Sequence, residues 1–139
     1  MYICGMKENY NHENRHKYYL KCHLIFCIKY RRKILKGEFD DNIKAIFQSI
    51  ADNSDFDIDI METDKDHIHF LINYPPKLSV TSIVRKLKQE STIFAWHLYG
   101  YMLRQYFWKE KTLWSDGYFV CSIGEANPNT IREYIKQQG

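Results

Sequence analysis

A chain of 139 residues, 45% of them hydrophobic and 16% aromatic, has the size and apolar content of one ordinary domain, so a single unit over 1–139 is expected. A formal net charge of +3 is too small to define a nucleic-acid binder by itself, and the distribution of the charge matters more than its sum. No apolar run near Met1 is long enough for a signal peptide or a membrane span, which predicts a cytoplasmic protein with no membrane partner. Cys4, Cys22, Cys27 and Cys121 form no Cys-x-x-Cys pair and read as reduced, mostly buried thiols.

In chain order, residues 1–17 form an N-terminal extension without a periodic pattern. Tyr18 to Ile28 then alternates Leu20, Cys22, Leu24, Phe26 and Ile28 against Tyr19, Lys21, His23 and Ile25, the period of a strand. A basic run, Lys29-Tyr30-Arg31-Arg32-Lys33, closes it. Ile43, Ile46, Phe47 and Ile50 recur at helical spacing over Asp40 to Ala51, with Asp40 or Asp41 as the expected N-cap. Phe56, Ile58 and Ile60 alternate in a second strand. After the turn Thr63-Asp64-Lys65, Ile68, Phe70 and Ile72 alternate in a third.

Pro75-Pro76 ends this hairpin, and Val80, Ile83, Val84, Leu87 and Phe94 mark a long helix starting near Ser79 and broken around Gly100. Tyr118 to Ile123 reads as a last strand. Asn127-Pro128 is an N-cap followed by a proline at the first helical position, so 127–138 should end in a short helix. The order is β-α-β-β-α-β plus one helix. That predicts an α+β, ferredoxin-like (RRM-like) antiparallel sheet with two helices on one face and a spare helix for the other.

His67 and His69 are two apart on a strand, so both leave the face opposite to Ile68, Phe70 and Ile72, close enough to share one divalent ion. On its own such a pair is as readily a half-exposed polar face. The open sheet face needs a cover, however, and the C-terminal helix is the only spare element. On that helix Tyr134 and Gln138 are four apart and share a side.

Asp66 followed by His67-Ile68-His69 resembles the His-hydrophobic-His motif of the single-tyrosine transposases of small bacterial insertion sequences, the 200/605 family. Tyr134-Ile135-Lys136-Gln137-Gln138 is similar to the family's C-terminal Tyr-Ile-x-x-Gln signature. Trp114-Ser115-Asp116-Gly117-Tyr118-Phe119-Val120 resembles its last strand, and Phe26-Cys27-Ile28-Lys29-Tyr30-Arg31 the end of its first. The likeness runs from about Tyr18 to the end of the chain.

The resemblance implies a transposase that cleaves and rejoins single-stranded DNA through a 5′-phosphotyrosine link. Tyr134 would be the nucleophile and His67, His69 and Gln138 the ligands of Mg²⁺ or Mn²⁺. Imidazole donors alone would suit Mn²⁺ or Zn²⁺ equally. It further implies recognition of DNA hairpins at element ends and a homodimer whose active site is shared between subunits, with Gly124-Glu125-Ala126 as the hinge of the exchanged helix.

For DNA contact the candidates are Lys29, Tyr30, Arg31, Arg32 and Lys33, which mix phosphate-pairing charge with a stacking ring, and Arg85 and Lys88 on the long helix. Competing readings are a non-catalytic RNA-binding module with the same sheet, a replication or conjugation nickase with the same two-histidine chemistry, and a domesticated relative acting on chromosomal repeats.

Overall fold

The alternation of apolar side chains along three short runs is realised as a four-stranded antiparallel sheet in a computed structural model that describes residues 20–122 and 128–138. The elements are β1 (Leu20–Cys27), a 3₁₀ turn (Lys29–Arg31), α1 (Gly37–Asp52), β2 (Asp57–Asp64), β3 (His67–Tyr74), α2 (Val80–Leu103), β4 (Phe119–Ser122) and α3 (Pro128–Gln137). The sheet order is β2-β3-β1-β4, the split βαβ order expected from the sequence.

Cys22, Leu24, Phe26, Ile68, Phe70 and Ile72 point to one face and join Ile43, Phe47 and Ile50 of α1 and Ile83, Val84 and Leu87 of α2 in the core. Phe26, Phe47, Phe70 and Trp114 interlock there at ring-centroid distances of 4.9 to 6.3 Å. The buried Trp114 indole N–H donates to Ser91 Oγ at 2.9 Å, and Trp96 Nε1 donates to the Thr112 carbonyl at 2.8 Å. These anchors tie the long segment after α2 to the core. An isolated antiparallel bridge between Ile28 and Trp114 sets it beside the end of β1.

Two expectations are corrected. Helix α1 begins at Gly37, not at an aspartate cap: Lys36 occupies the cap without a side-chain bond, while Asp40 accepts from Thr63 Oγ1 at 2.7 Å and pairs with Lys44. The alternation Phe56-Ile58-Ile60 fails at Ile60, because a register shift between Ile58 and Ile60 turns Ile60 to the opposite, exposed face. Phe94 lies within the long helix as expected, on its exposed side. The buried stripe of α2 rotates from Leu87 through Ser91 and Ala95 to Leu103 and leaves Phe94 at its margin.

Other expectations hold. Ser79 caps α2 through Oγ, which accepts from the Ser82 N–H, and the helix kinks at Tyr99, one residue before Gly100. Cys22 and Cys27 are buried thiols. Residues 1–19 with Cys4, Ile123, the Gly124 to Ala126 hinge and the Asn127 cap lie outside the described residues. Among the described residues no helix is long and apolar enough to cross a membrane.

Candidate active site

Strand pairing fixes what stands on the face away from the core. His67 is opposite Cys27, His69 opposite Ile25, and Ile25 opposite Phe119, so these side chains, with His23, share one side of the sheet. Ile25 is fully buried although it points away from the core. The cover is α3, whose Tyr134 ring lies 5.6 Å from Phe119.

His67 is held by an acidic neighbour. Its Nδ1 lies 2.9 Å from Asp66 Oδ1, and the other oxygen of this buried carboxylate accepts from Arg31 Nε at 3.3 Å. A carboxylate on Nδ1 holds the proton there and leaves the Nε2 lone pair outward, the arrangement by which proteins orient metal-binding imidazoles. His69 is held differently. Its Nε2 shares a 2.8 Å hydrogen bond with His23 Nδ1, the two rings stack at 5.0 Å, and its Nδ1 lies 3.9 Å from Glu62.

Burial lowers the pKa of both His23 and His69; for His69 the His23 ring adds to this, Glu62 opposes it and His67 contributes least. Both imidazoles therefore favour the neutral form. The unfolded chain takes up these protons more readily than the folded one. Stability of the metal-free protein is thus full above the ordinary histidine value of about 6.5 and falls as the pH drops below it towards the lowered folded values. Thermal unfolding in chelator should show this slope between about pH 7.5 and about pH 5.5, and His23→Gln with His69→Gln should flatten it.

Tyr134 and Gln138 converge as their spacing predicts. Gln138 follows α3 directly, with its N–H bonded to the Ile135 carbonyl. A Cβ placed on Gly117 would lie 3.9 Å from Tyr134 Oη and 4.0 Å from Gln138 Oε1, so both polar tips meet at one stretch of backbone. Ser115 Oγ donates to Gln138 Oε1 at 3.2 Å, while the Ser115 N–H donates to the carbonyl of Cys27 at 2.8 Å. Cys27 is the residue opposite His67. A continuous set of contacts thus joins Gln138 to the His67 position. Tyr134 Oη is buried with no hydrogen-bond partner among the described residues, and burial, then the nearby Cys27, push its pKa upward. Burial also raises the Cys27 thiol to about 11, which keeps it protonated and unreactive.

The loop that receives Tyr134 and Gln138 is held by Lys88. Its ammonium donates to the carbonyls of Ser115, Asp116 and Gly117 at 2.7, 3.2 and 2.8 Å. This corrects the expectation that Lys88 faces DNA: all three donors of the ammonium are used inside the protein. Lys88→Met should cost about 2 kcal/mol, the worth of hydrogen bonds from a charged donor, measured as a lower urea midpoint. An unchanged midpoint would show that the loop holds without it.

The other basic candidates separate. Arg31 and Lys33 line a pocket of about 320 Å³ together with Lys65, Asp66, His67, Arg132 and Lys136. Arg32 is exposed beside an exposed Tyr30, Arg85 is exposed on α2, and Lys29 pairs with Glu110 and Asp116. Lys65, Arg132, Lys136 and His23 had no distinguishing sequence signal, and Asp66 had only its place beside His67.

Residues 16–138 match the profile of a family described as Transposase IS200 like. The chain belongs to that family. The ISDra2 transposase TnpA of Deinococcus radiodurans is 32% identical over 121 residues, covering 87% of this chain and 85% of the relative. The transposase for insertion sequence element IS200 of Salmonella typhimurium is 33% identical over 118 residues, covering 85% and 76%.

A crystal structure assigned as a transposase from Deinococcus radiodurans R1 superposes with a TM-score of 0.80 at 28% identity, covering 96% of this chain and 98% of that one. A REP-associated tyrosine transposase bound to a REP hairpin shares the fold, with a TM-score of 0.53 at 16% identity over 94% and 68% of the two chains. Membership of the IS200-like transposases implies a DNA strand transferase, and it removes the non-catalytic RNA-binding reading.

Proposed function

We propose that this transposase cleaves and rejoins single-stranded DNA at insertion-sequence ends, with Tyr134 as nucleophile and a divalent metal, Mg²⁺ or Mn²⁺, held by His67, His69 and Gln138. The observation that carries the reading is the meeting of Tyr134 Oη and Gln138 Oε1 at Gly117, on a loop bonded to the strand position opposite His67. The donor set fits a metal: His67 is oriented by Asp66, His69 is kept neutral, and Gln138 adds a carbonyl oxygen. When bound, the ion would supply Lewis-acid stabilisation of the negative charge that develops on the phosphate. If His69 held the ion through Nε2 it would give up its bond to His23, and that bond keeps the ring in place in the metal-free chain.

The chain's own part is nucleophile and positioning. Tyr134 stays protonated and latent while its hydroxyl is buried. In the reaction its oxygen forms a bond to phosphorus and loses its proton, and the bond from phosphorus to the 3′ oxygen breaks, leaving a 3′ hydroxyl and a 5′ phosphate on Tyr134. Attack by another 3′ hydroxyl reverses the exchange, with no external energy source, because one phosphodiester is traded for another. Arg31, Lys33, Lys65, Arg132 and Lys136 around His67 give the incoming phosphates a cationic wall.

Hairpin recognition and a homodimer with a shared site belong to the same proposal. Exposed Ile93, Phe94, Leu98 and Tyr101 on α2 offer an apolar face for a second copy. Single-stranded ends of the element, incubated with Mn²⁺ or Mg²⁺, should leave a DNA adduct on Tyr134 detectable by intact-mass and peptide mapping. An adduct on another residue, or none, rejects the assignment. Mixing His67→Ala and Tyr134→Phe subunits tests sharing: a mixture that stays inactive confines the site to one chain.

A further inference from the structure

Outside this site lies a second concave surface, a groove of about 400 Å³ whose walls include Tyr30, Arg32, Phe107, Trp108, Lys109 and Glu110. Its chemistry is unusual for a free surface. Trp108 is 73% exposed and Tyr30 59% exposed, on two segments far apart in sequence. Tyr30 is presented by backbone at φ 61, with Arg31 at φ 52, a left-handed pair that neither residue favours. Phe107, itself buried, forms the floor with its ring 6.5 Å from Tyr30.

Cations sit against both exposed rings: Lys109 Nζ is 5.2 Å from the Trp108 centroid, and the Arg32 guanidinium is 6.0 Å from that of Tyr30. The one acidic wall residue, Glu110, is paired with Lys29 at 3.6 Å, so the remaining charge of the groove is positive.

We infer that this groove, set apart from the tyrosine and histidines, binds an unpaired nucleobase of the DNA substrate between Tyr30 and Trp108, with Arg32 and Lys109 on the flanking phosphates. Exposed rings alternating with cations are what a single strand requires: every base has a face to stack and every linkage a charge to neutralise. A protein interface would share the aromatics and the arginine, but its centre is depleted in lysine and glutamate, and here Lys109 and Glu110 stand beside the exposed rings. The inference rests on the strand-transfer reading for its ligand, and it adds a base-holding subsite.

The test is fluorescence anisotropy of the full chain with labelled oligo(dT) and with an abasic strand of equal length at the same salt. The wild type should prefer oligo(dT) by on the order of tenfold. Trp108→Ala should remove most of that preference while leaving abasic affinity unchanged, and Trp108→Phe should keep most of it. Equal affinity of the wild type for both strands overturns the inference, as does a Trp108→Ala chain that keeps the full preference. A Trp108→Ala chain with altered sedimentation and intact base preference also overturns it, by showing an interface between copies. Tyr134→Phe should retain the preference. A missing adduct with the preference present therefore sinks only the chemistry, and a lost preference with the adduct present sinks only the groove.

Discussion

Replacement of Tyr134 by phenylalanine should give a chain that binds single-stranded DNA as well as before, forms no covalent adduct, and unfolds at a higher temperature. The activity loss should exceed about 1000-fold, as expected when the attacking atom itself is removed. The stability change has the opposite sign for a physical reason. The phenol oxygen is buried without a hydrogen-bond partner among the described residues, and an unsatisfied hydroxyl of this kind costs about 1 to 3 kcal/mol. Removing it while keeping the ring against Phe119 should recover about 1 kcal/mol of that. A residue retained only for packing would not show both effects. Thermal unfolding alongside the adduct assay checks them, and an active Phe variant would falsify the role of Tyr134.

On the proposed reading of His67 as a ligand, His67→Ala should lower Mn²⁺ affinity by more than about 100-fold, with cleavage lost in parallel, since even the orienting partner of a ligand matters. Asp66→Asn should give the intermediate result, about 10- to 100-fold weaker binding. The amide can still meet the ring but no longer favours the Nδ1 proton as strongly, and its contact with Arg31 loses its charge. Calorimetric titration with Mn²⁺ measures both without DNA. Circular dichroism identifies a variant that has unfolded, and in that case the milder His67→Gln takes its place. Unchanged affinity in a folded His67→Ala chain would remove the imidazole from the site.

The sequence makes the sheet and the histidine pair readable because strands have a period of two: Ile68, Phe70 and Ile72 had to be buried, so His67 and His69 had to stand opposite them. The helical spacing of Tyr134 and Gln138 was readable in the same way. What escaped was set by contacts remote along the chain. Lys88 looks like one basic residue among several until the carbonyls of the 115–117 loop are found around it. His23 looks like an ordinary strand residue until β1 lies beside β3 and its ring meets His69. The bulge at Asp59, which turns Ile60 outward, leaves no local mark, because it depends on how β2 matches its neighbour.

Between Asp64 and His67 only Lys65 and Asp66 intervene, with Lys65 at φ 37, so the hairpin that delivers the histidines has almost no slack. Deleting either residue of that corner while the ladder re-pairs would exchange inside for outside along the whole of β3. The imidazoles would be driven into hydrocarbon and Ile68, Phe70 and Ile72 into water. Length changes at this corner are therefore a far harsher perturbation of the protein than most substitutions on its surface.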